Sequence, residues 1–168
     1  MEFNDVIKNR FAARKFSNRP VEKEKLDMIL EAGRIAPTAK NKQPFKVVVV
    51  STKEGIEKID KTTTCRYNAP VVLIVCGDVD EAFSNEKITT YEMDSCIVAT
   101  HMMLEATNVG LNNIWIELFD RELLSSEFDL PSNLVPLCLL PIGYGEEDCK
   151  PSHLHFERKN IEDIVIYK

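Results

Sequence analysis

The sequence predicts a mixed α/β or α+β domain in which apolar strands alternate with amphipathic helices. Its 168 residues, of which 44% are hydrophobic and 29% charged, are typical of an ordinary globular domain. Two runs rich in β-branched residues, 45–50 and 71–76, indicate buried strands. Around them, apolar residues recur at three- and four-residue spacing, which is typical of helices packed on a sheet. We therefore expect residues 1–168 to form a single domain.

Nine elements are predicted before a tail without a clear period, which starts near residue 150. In chain order they are helix 4–10, helix 22–34, strand 45–50, helix 53–61, strand 71–76, helix 91–109, strand 113–116, helix 120–128 and strand 135–142. The helix over 91–109 has two neighbouring apolar stripes, one through Cys96 and one through Ile97, so we expect it to be buried on most sides. Gly110 is placed to cap it. The pattern leaves the order and direction of the strands open.

Composition and motifs argue against several classes of function. The formal net charge of −6 argues against general nucleic-acid binding, and the longest apolar run, 69–76, is too short to cross a bilayer. The five cysteines form no C-x-x-C pair and no leader is visible at Met1, so we expect reduced thiols in a cytoplasmic protein. Gly143-Tyr144-Gly145 is the single G-x-G, and Asp148 stands where a Rossmann fingerprint needs its third glycine. P-loop and G-x-S-x-G motifs do not occur.

Two arginines near the N-terminus form a candidate anion site. Arg10 and Arg14 are four residues apart, so they would share one face if the first helix continued through them. Two guanidinium groups so placed can hold a phosphate dianion. A solvated basic face is the alternative that spacing alone favours. The neighbouring Phe11, Ala12 and Phe16 are apolar, however, and a buried arginine needs an anion.

The polar loop over 38–44 is a second candidate site. Thr38, Asn41 and Gln43 offer donors and acceptors that suit a heterocycle with alternating carbonyl and N–H groups. Ordinary turn stabilisation by Asn41 explains the same residues, and for the loop taken alone it is the simpler interpretation.

Two groups of metal-ligating side chains have plainer explanations. Cys149, His153 and His155 could supply three zinc ligands, but no fourth is evident and the tail is irregular, so we expect no metal site. In the long helix, Cys96 and His101 accompany two methionines, a combination more typical of packing than of a thiol or thioether site. We expect Cys96 to be a buried small hydrophobe and His101 to be an interior or interface residue.

Taken together, these motifs resemble the FMN-dependent nitroreductase family. The run from Arg10 to Phe16 matches the family's opening pattern of two basic residues around a small one. Residues 36–45, Ala-Pro-Thr-Ala-Lys-Asn-Lys-Gln-Pro-Phe, closely match its Ala-Pro-Ser/Thr-x-x-Asn-x-Gln-Pro-aromatic loop. Four further matches follow in the family's order: the Ala-Pro strand at 69–74, the helix from Asp94 to Gly110-Leu111, the turn at 115–120 and the basic pair Arg158-Lys159. The resemblance spans nearly the whole chain, and its specificity lies in the ordered set.

The resemblance implies a fold and a cofactor site. The fold is α+β, a three-layer sandwich whose central, mostly antiparallel sheet is flanked by helices. Arginines and Lys159 would hold the FMN phosphate, Glu117 and Leu118 would lie beside the flavin ring with a backbone N–H near N5, and the backbone of Gly143 would approach the ring or the ribityl chain. The cofactor-binding residues implied are Arg10, Phe11, Ala12, Arg14, Pro37, Thr38, Ala39, Asn41, Ile116, Glu117, Leu118, Gly143, Arg158 and Lys159.

The resemblance also implies an activity. Hydride would pass from NAD(P)H through flavin N5 to a small acceptor such as a nitroaromatic or a quinone, without a catalytic side chain. Family members are dimers with FMN at the interface, so Thr38 and Asn41 would reach the flavin from the partner subunit. Ala12 stands where many members have serine, and Leu118 stands where many have glycine. Leu118 and the short chain motivate an alternative, a flavin-binding or sensing module with little reductase activity.

Overall fold

The computed structural model describes all 168 residues and contains five α-helices and a four-stranded antiparallel sheet. The helices are α1 (Phe3–Asn9), α2 (Lys23–Arg34), α3 (Lys53–Thr62), α4 (Tyr91–Asn108) and α5 (Arg121–Glu127). The strands are β1 (Phe45–Val50), β2 (Val71–Asp78), β3 (Asn112–Asn113) and β4 (Leu134–Gly143). All nine predicted elements are present, and apart from the third strand their ends agree to within a few residues. No helix combines the length and the apolar character needed to cross a bilayer.

The sheet order is β1-β2-β4-β3, and every neighbouring pair is antiparallel. Strand β2 is paired on both sides, and all eight of its residues are buried. Because side chains alternate along a strand, β2 contributes to two separate cores. Val71, Leu73 and Val75 pack toward one core and their neighbours pack toward the other. The α+β fold that the sequence resemblance implied is confirmed.

The two cores define three layers. On one face of the sheet, Ile29 of α2 and Val98 and Met102 of α4 belong to the first core. On the other face, Ile59 of α3 and Leu124 of α5 belong to the second core, together with Ala13 and Phe16 from an extended N-terminal segment. The segment that carries the candidate arginines is therefore fixed against the sheet by apolar side chains on both sides of Arg14.

Helix α4 is less buried than the sequence predicted. Val98, Ala99, Met102 and Ala106 are buried against the sheet and α2, but Cys96 and Ile97 are exposed on the opposite face. The expectation that Cys96 is buried is therefore wrong for the single chain, because periodicity identifies apolar stripes without showing which of them meets this sheet. Gly110, at φ +81°, ends the helix: its N–H bonds to Thr107, and the next N–H bonds to Ala106.

The third strand is shorter than predicted. Residues 113–116 were expected to pair, but β3 contains only Asn112 and Asn113, and Ile116 makes an isolated bridge to Leu139. Continuing the antiparallel register brings Ile114 opposite Pro141. The Ile114 N–H donates to the Pro141 carbonyl at 3.3 Å, but proline has no N–H to return the bond. The regular ladder is therefore interrupted at this pair.

All five cysteines are free thiols, as the sequence predicted. Burial raises the pKa of Cys76 to about 12 and also raises the pKa of Cys138. These two thiols stay protonated at neutral pH and act as small apolar side chains.

Candidate functional site

The candidate arginines lie on an extended segment, not on a helix. Helix α1 ends at Asn9, and Arg10 has extended backbone angles, φ −64° and ψ 124°. Ala12 forms a parallel bridge with Asn113, and the Ala13 N–H donates to the Asn113 carbonyl at 3.0 Å. The helical-face hypothesis for Arg10 and Arg14 is therefore wrong. The two still share a face because residues four apart also alternate to the same side of an extended chain.

The tail of the chain completes a small cavity around these arginines. Its volume is about 170 Å³, and it is lined by Arg10, Ala12, Arg14, Ser152, Leu154, His155 and Arg158. The ring of His155 meets the ring of Phe11 edge-on, with centroids 6.5 Å apart. An ion pair between Lys15 and Asp148 holds the start of the tail to the same segment. The structure thus brings together all three arginines that the sequence resemblance implied, although Arg14 and Arg158 are 144 positions apart in the sequence.

The cavity concentrates positive charge that the chain itself does not neutralise. No carboxylate lines it, and none of its three arginines forms an ion pair within the chain. Arg158 donates to the carbonyls of Leu154 and Glu157, which fixes its guanidinium group without cancelling its charge. Burial, followed by repulsion from Arg158, lowers the pKa of Arg10. Such a cluster favours the binding of an anion that carries more than one charge.

The loop over 38–43 is a strained turn. Lys40, Asn41 and Gln43 have φ values of 51°, 53° and 53°, although none of them is glycine. Bonds inside the loop offset this strain: the Gln43 N–H donates to the Thr38 hydroxyl at 2.9 Å, and the Asn41 N–H donates to the Thr38 carbonyl. The turn-stabilising role proposed for this loop is therefore real, but Thr38 provides it more than the Asn41 side chain does. Pro37 and Asn41 are exposed, and Ala39 is half-buried.

The segment after β3 presents backbone N–H groups that have no acceptor within the chain. Ile116 is buried, and Glu117 accepts a bond from the Trp115 indole N–H at 2.9 Å. Leu118 is 76% exposed, and its carbonyl accepts from the Thr63 hydroxyl at 2.7 Å. Its N–H donates to no acceptor within the chain. The Glu117 N–H likewise donates to no acceptor within the chain, so the segment has backbone N–H groups available, and the predicted contact of one of them with flavin N5 stays a prediction.

Gly143 has a structural reason to be glycine. It is buried at the end of β4, and a Cβ atom there would lie 2.7 Å from Cδ of Pro70. This close packing on Pro70 excludes any side chain, whether or not a cofactor is bound. The predicted approach of its backbone to the flavin stays a prediction.

The remaining candidates do not line the arginine cavity. The arginine cavity contains none of the loop residues 37–41 and none of residues 116–118, and Lys159 is exposed outside its lining. Ser152 and His155 line the cavity but were not predicted. The three-residue spacing from His155 to Arg158 is the one sequence signal that could have indicated His155. Cys149, His153 and His155 do not come together as a ligand set, since no group of three such side chains could hold a metal.

Comparisons with known proteins agree on one family. The sequence profile described as "Nitroreductase family" matches residues 7–66 and 65–144. A provisionally named NADH dehydrogenase/NAD(P)H nitroreductase from Methanothermobacter thermautotrophicus is 31% identical over 94% of this chain and 88% of its own. A nitroreductase family protein from Clostridium difficile superposes with a TM-score of 0.94 at 37% identity, covering 100% of this chain and 99% of the other. A provisionally named nitroreductase from Exiguobacterium sibiricum, solved with FMN, shares the fold with a TM-score of 0.87 at 22% identity, covering 100% and 98% of the two chains.

Proposed function

Because this chain belongs to the nitroreductase family, as its ordered motifs predicted, we propose that it is an FMN-dependent oxidoreductase. Hydride passes from NAD(P)H through flavin N5 to a small electron acceptor such as a nitroaromatic or a quinone. The observation that carries the proposal is the cavity in which Arg10, Arg14 and Arg158 converge without a carboxylate. The name of the Methanothermobacter relative supports the choice of NAD(P)H as donor.

The residues present fit the phosphate end of FMN. Three guanidinium groups can donate several charge-assisted hydrogen bonds to a phosphate dianion. The Ser152 side chain adds a hydroxyl to the lining of the cavity, where Ala12 has none to offer. At about 170 Å³ the cavity is smaller than the roughly 300 Å³ at which most ligand sites begin, so it accommodates the phosphate and not the whole cofactor. The rest of the FMN site lies elsewhere on the assembly.

The other site residues orient the ring and leave room for a second ligand. When bound, FMN supplies the hydride-accepting N5 and the two-electron chemistry. The free N–H of Leu118 is available to donate toward that atom, while Thr63 holds the Leu118 carbonyl. Trp115 holds the Glu117 carboxylate, and the exposed Leu118 side chain offers an apolar surface beside the ring. Because the chain lacks a Rossmann fingerprint, the nicotinamide would dock transiently at the flavin. We assign no catalytic side chain.

A second copy of the chain completes the site in this proposal. Large apolar side chains are exposed on the single chain, including Phe3 at 67% and Ile166 at 81%. An apolar cavity of about 470 Å³ between α1, α2 and α4 adds to this surface. Large exposed apolar side chains beside an apolar cavity are typical of an interface between proteins. A homodimer buries it and allows Thr38 and Asn41 of one subunit to meet the flavin held by the other. The free thiols suit a cytoplasmic location.

A visible spectrum of the purified protein tests the proposal. We expect stoichiometric uptake of FMN with the absorbance of an oxidised flavin, bleaching of that absorbance on addition of NADH or NADPH, and its return when a nitroaromatic or a quinone is added. Sedimentation analysis of the same sample is expected to give a dimer. Protein that takes up no FMN would contradict the proposal. Bound flavin that neither nucleotide reduces would instead favour the flavin-binding or sensing module.

A further inference from the structure

We propose that Asp94 is a positioning residue for the flavin-contacting loop, which it holds in its strained binding conformation. Asp94 lies in the first turns of α4 and is 3% exposed. Its Oδ1 accepts a hydrogen bond from the backbone N–H of Ala39 at 2.8 Å. Ala39 is flanked by Thr38 and leads directly into Lys40 and Asn41. The inference rests on the proposed function, because it assigns to this loop the role of contacting FMN.

Both oxygens of the buried carboxylate are used. Oδ2 of Asp94 accepts from the Thr90 hydroxyl at 2.8 Å, and that hydroxyl also lies 3.2 Å from the Phe83 carbonyl. The carboxylate therefore has a fixed orientation, which in turn fixes the position of the Ala39 N–H. The positive end of the α4 dipole favours a negative charge at this place. An acidic side chain can thus be buried here without a basic partner.

The loop needs such an anchor because its backbone is unfavourable by itself. Three non-glycine residues in the left-handed region raise the free energy of this conformation over that of an ordinary turn. The bonds made by Thr38 and Gln43 close the loop on itself, whereas the bond from Ala39 to Asp94 joins it to α4. A contact between the Lys40 ammonium group and the Phe83 ring, 4.5 Å from its centroid, ties the loop to the same region. Without the anchor, the loop can relax to an unstrained turn and misplace the groups that face FMN.

The test compares Asp94→Ala, Asp94→Asn and a control substitution in the opposite core, using the full-length protein. The asparagine variant keeps an oxygen that can accept from the Ala39 N–H, so it is expected to rescue most of the function. The control is Ile59→Val, which removes one methyl group from α3 in the core on the opposite face of the sheet. The dissociation constant of FMN, the melting temperature and the hydrogen exchange of the Ala39 amide in the apoprotein are measured for each variant.

We expect Asp94→Ala to raise the FMN dissociation constant about tenfold and to speed exchange at Ala39, because a hydrogen bond to a charged group is lost. Asp94→Asn is expected to stay within about threefold of wild type, since a neutral acceptor is weaker but still present. Ile59→Val lowers the melting temperature and leaves the dissociation constant unchanged. Equal FMN affinity in wild type and Asp94→Ala would overturn the proposal while leaving the proposed function intact. So would an Ile59→Val effect on affinity as large as that of Asp94→Ala.

The outcomes also separate this inference from the proposed function. Failure of the wild-type protein to take up FMN would end the proposed function and the flavin role of the loop together. In that case, an Ala39 amide that exchanges equally fast in wild type and Asp94→Ala would further show that Asp94 does not order the loop.

Discussion

The arginine cavity and the loop over 38–43, which we propose to contact the same cofactor, are built by opposite physical means. Arg10 and Arg14 stand on an unstrained extended backbone, and their contribution is charge that the chain leaves unpaired. The loop carries two lysines and no acidic residue, but what distinguishes it is an unusual backbone conformation that hydrogen bonds and Asp94 maintain. FMN binding at the arginine cavity should therefore depend on charge and ionic strength. The loop should depend on whether its residues tolerate a positive φ.

The largest expected effect is on the charge side. Arg10→Ala removes one guanidinium group from the cavity and is expected to weaken FMN binding by about 1.5–3 kcal/mol, roughly 10- to 150-fold. Fluorescence titration with FMN measures the change. Arg34→Ala is the matched control, because Arg34 is an exposed arginine on α2 that pairs with Glu31 at 2.6 Å. An unchanged affinity in Arg10→Ala would refute the phosphate assignment.

The next effect tests backbone shape. Lys40→Val places a β-branched residue at φ 51° and is expected to lower the free energy of unfolding of the apoprotein by about 1–2 kcal/mol. Lys40→Gly adopts that φ without strain and should stay closer to wild type. Lys46→Val is the control, because Lys46 is exposed on the extended strand β1, where valine is favourable. Urea unfolding measures all three. If Lys40→Val were as stable as Lys46→Val, the loop would not be strained in solution.

Ionic strength should then separate the two regions directly. Raising the salt concentration from about 0.05 M to about 0.5 M is expected to weaken FMN binding to the wild type several-fold, because the arginine cavity is open to screening ions. Arg10→Ala should show a shallower dependence on salt, whereas Asp94→Ala should keep the wild-type slope at a lower affinity. If FMN affinity fell equally steeply with salt in wild type and Arg10→Ala, the charge of Arg10 would not contribute to FMN binding.

The sequence predicted the arginine cavity better than the conformation of the loop over 38–43, and the reason is geometric. Residues four apart share a face in a helix and in an extended chain, so Arg10 and Arg14 were grouped correctly although the helix ends at Asn9. Strand β3 was too long in the prediction because only the sheet register brings Ile114 opposite Pro141.

The backbone conformation of the loop was harder to predict from the sequence. The loop over 38–43 contains no glycine, so its three positive φ values could not be read from composition. Asp94 was noted only as the start of a helix, because its partner Ala39 lies 55 residues away and bonds through a backbone N–H that every residue has. Cys96 was misplaced for a related reason: periodicity identifies the apolar stripes of α4 without showing which of them packs against the sheet.

The smallest expected effect concerns the hydrogen bond between Tyr144 and Glu22. Tyr144 is also bonded through its backbone to Ser17, at the end of the segment that carries Arg10 and Arg14. The Tyr144 hydroxyl donates to Glu22 at 2.7 Å, and this bond, more than the nearby Arg19 and Lys25, lowers the pKa of Glu22 from 4.5 to about 2. A carboxyl group whose pKa is lower in the folded state stabilises the fold above its unfolded pKa, and this contribution is lost as the pH falls toward the folded value. We therefore expect Glu22 to stabilise the protein fully at about pH 6 and progressively less from about pH 4.5 down to about pH 2.

Tyr144→Phe should flatten this part of the pH dependence of urea unfolding, whereas Glu24→Gln, on the same helix without a tyrosine partner, should leave it unchanged. Because the Ser17 N–H donates to the Tyr144 carbonyl, acid should also lower the protection of amides in the arginine segment against exchange, relative to their intrinsic rates, before it lowers the protection of the loop over 38–43. Simultaneous loosening of both regions would mean that the two halves of the site are not independent.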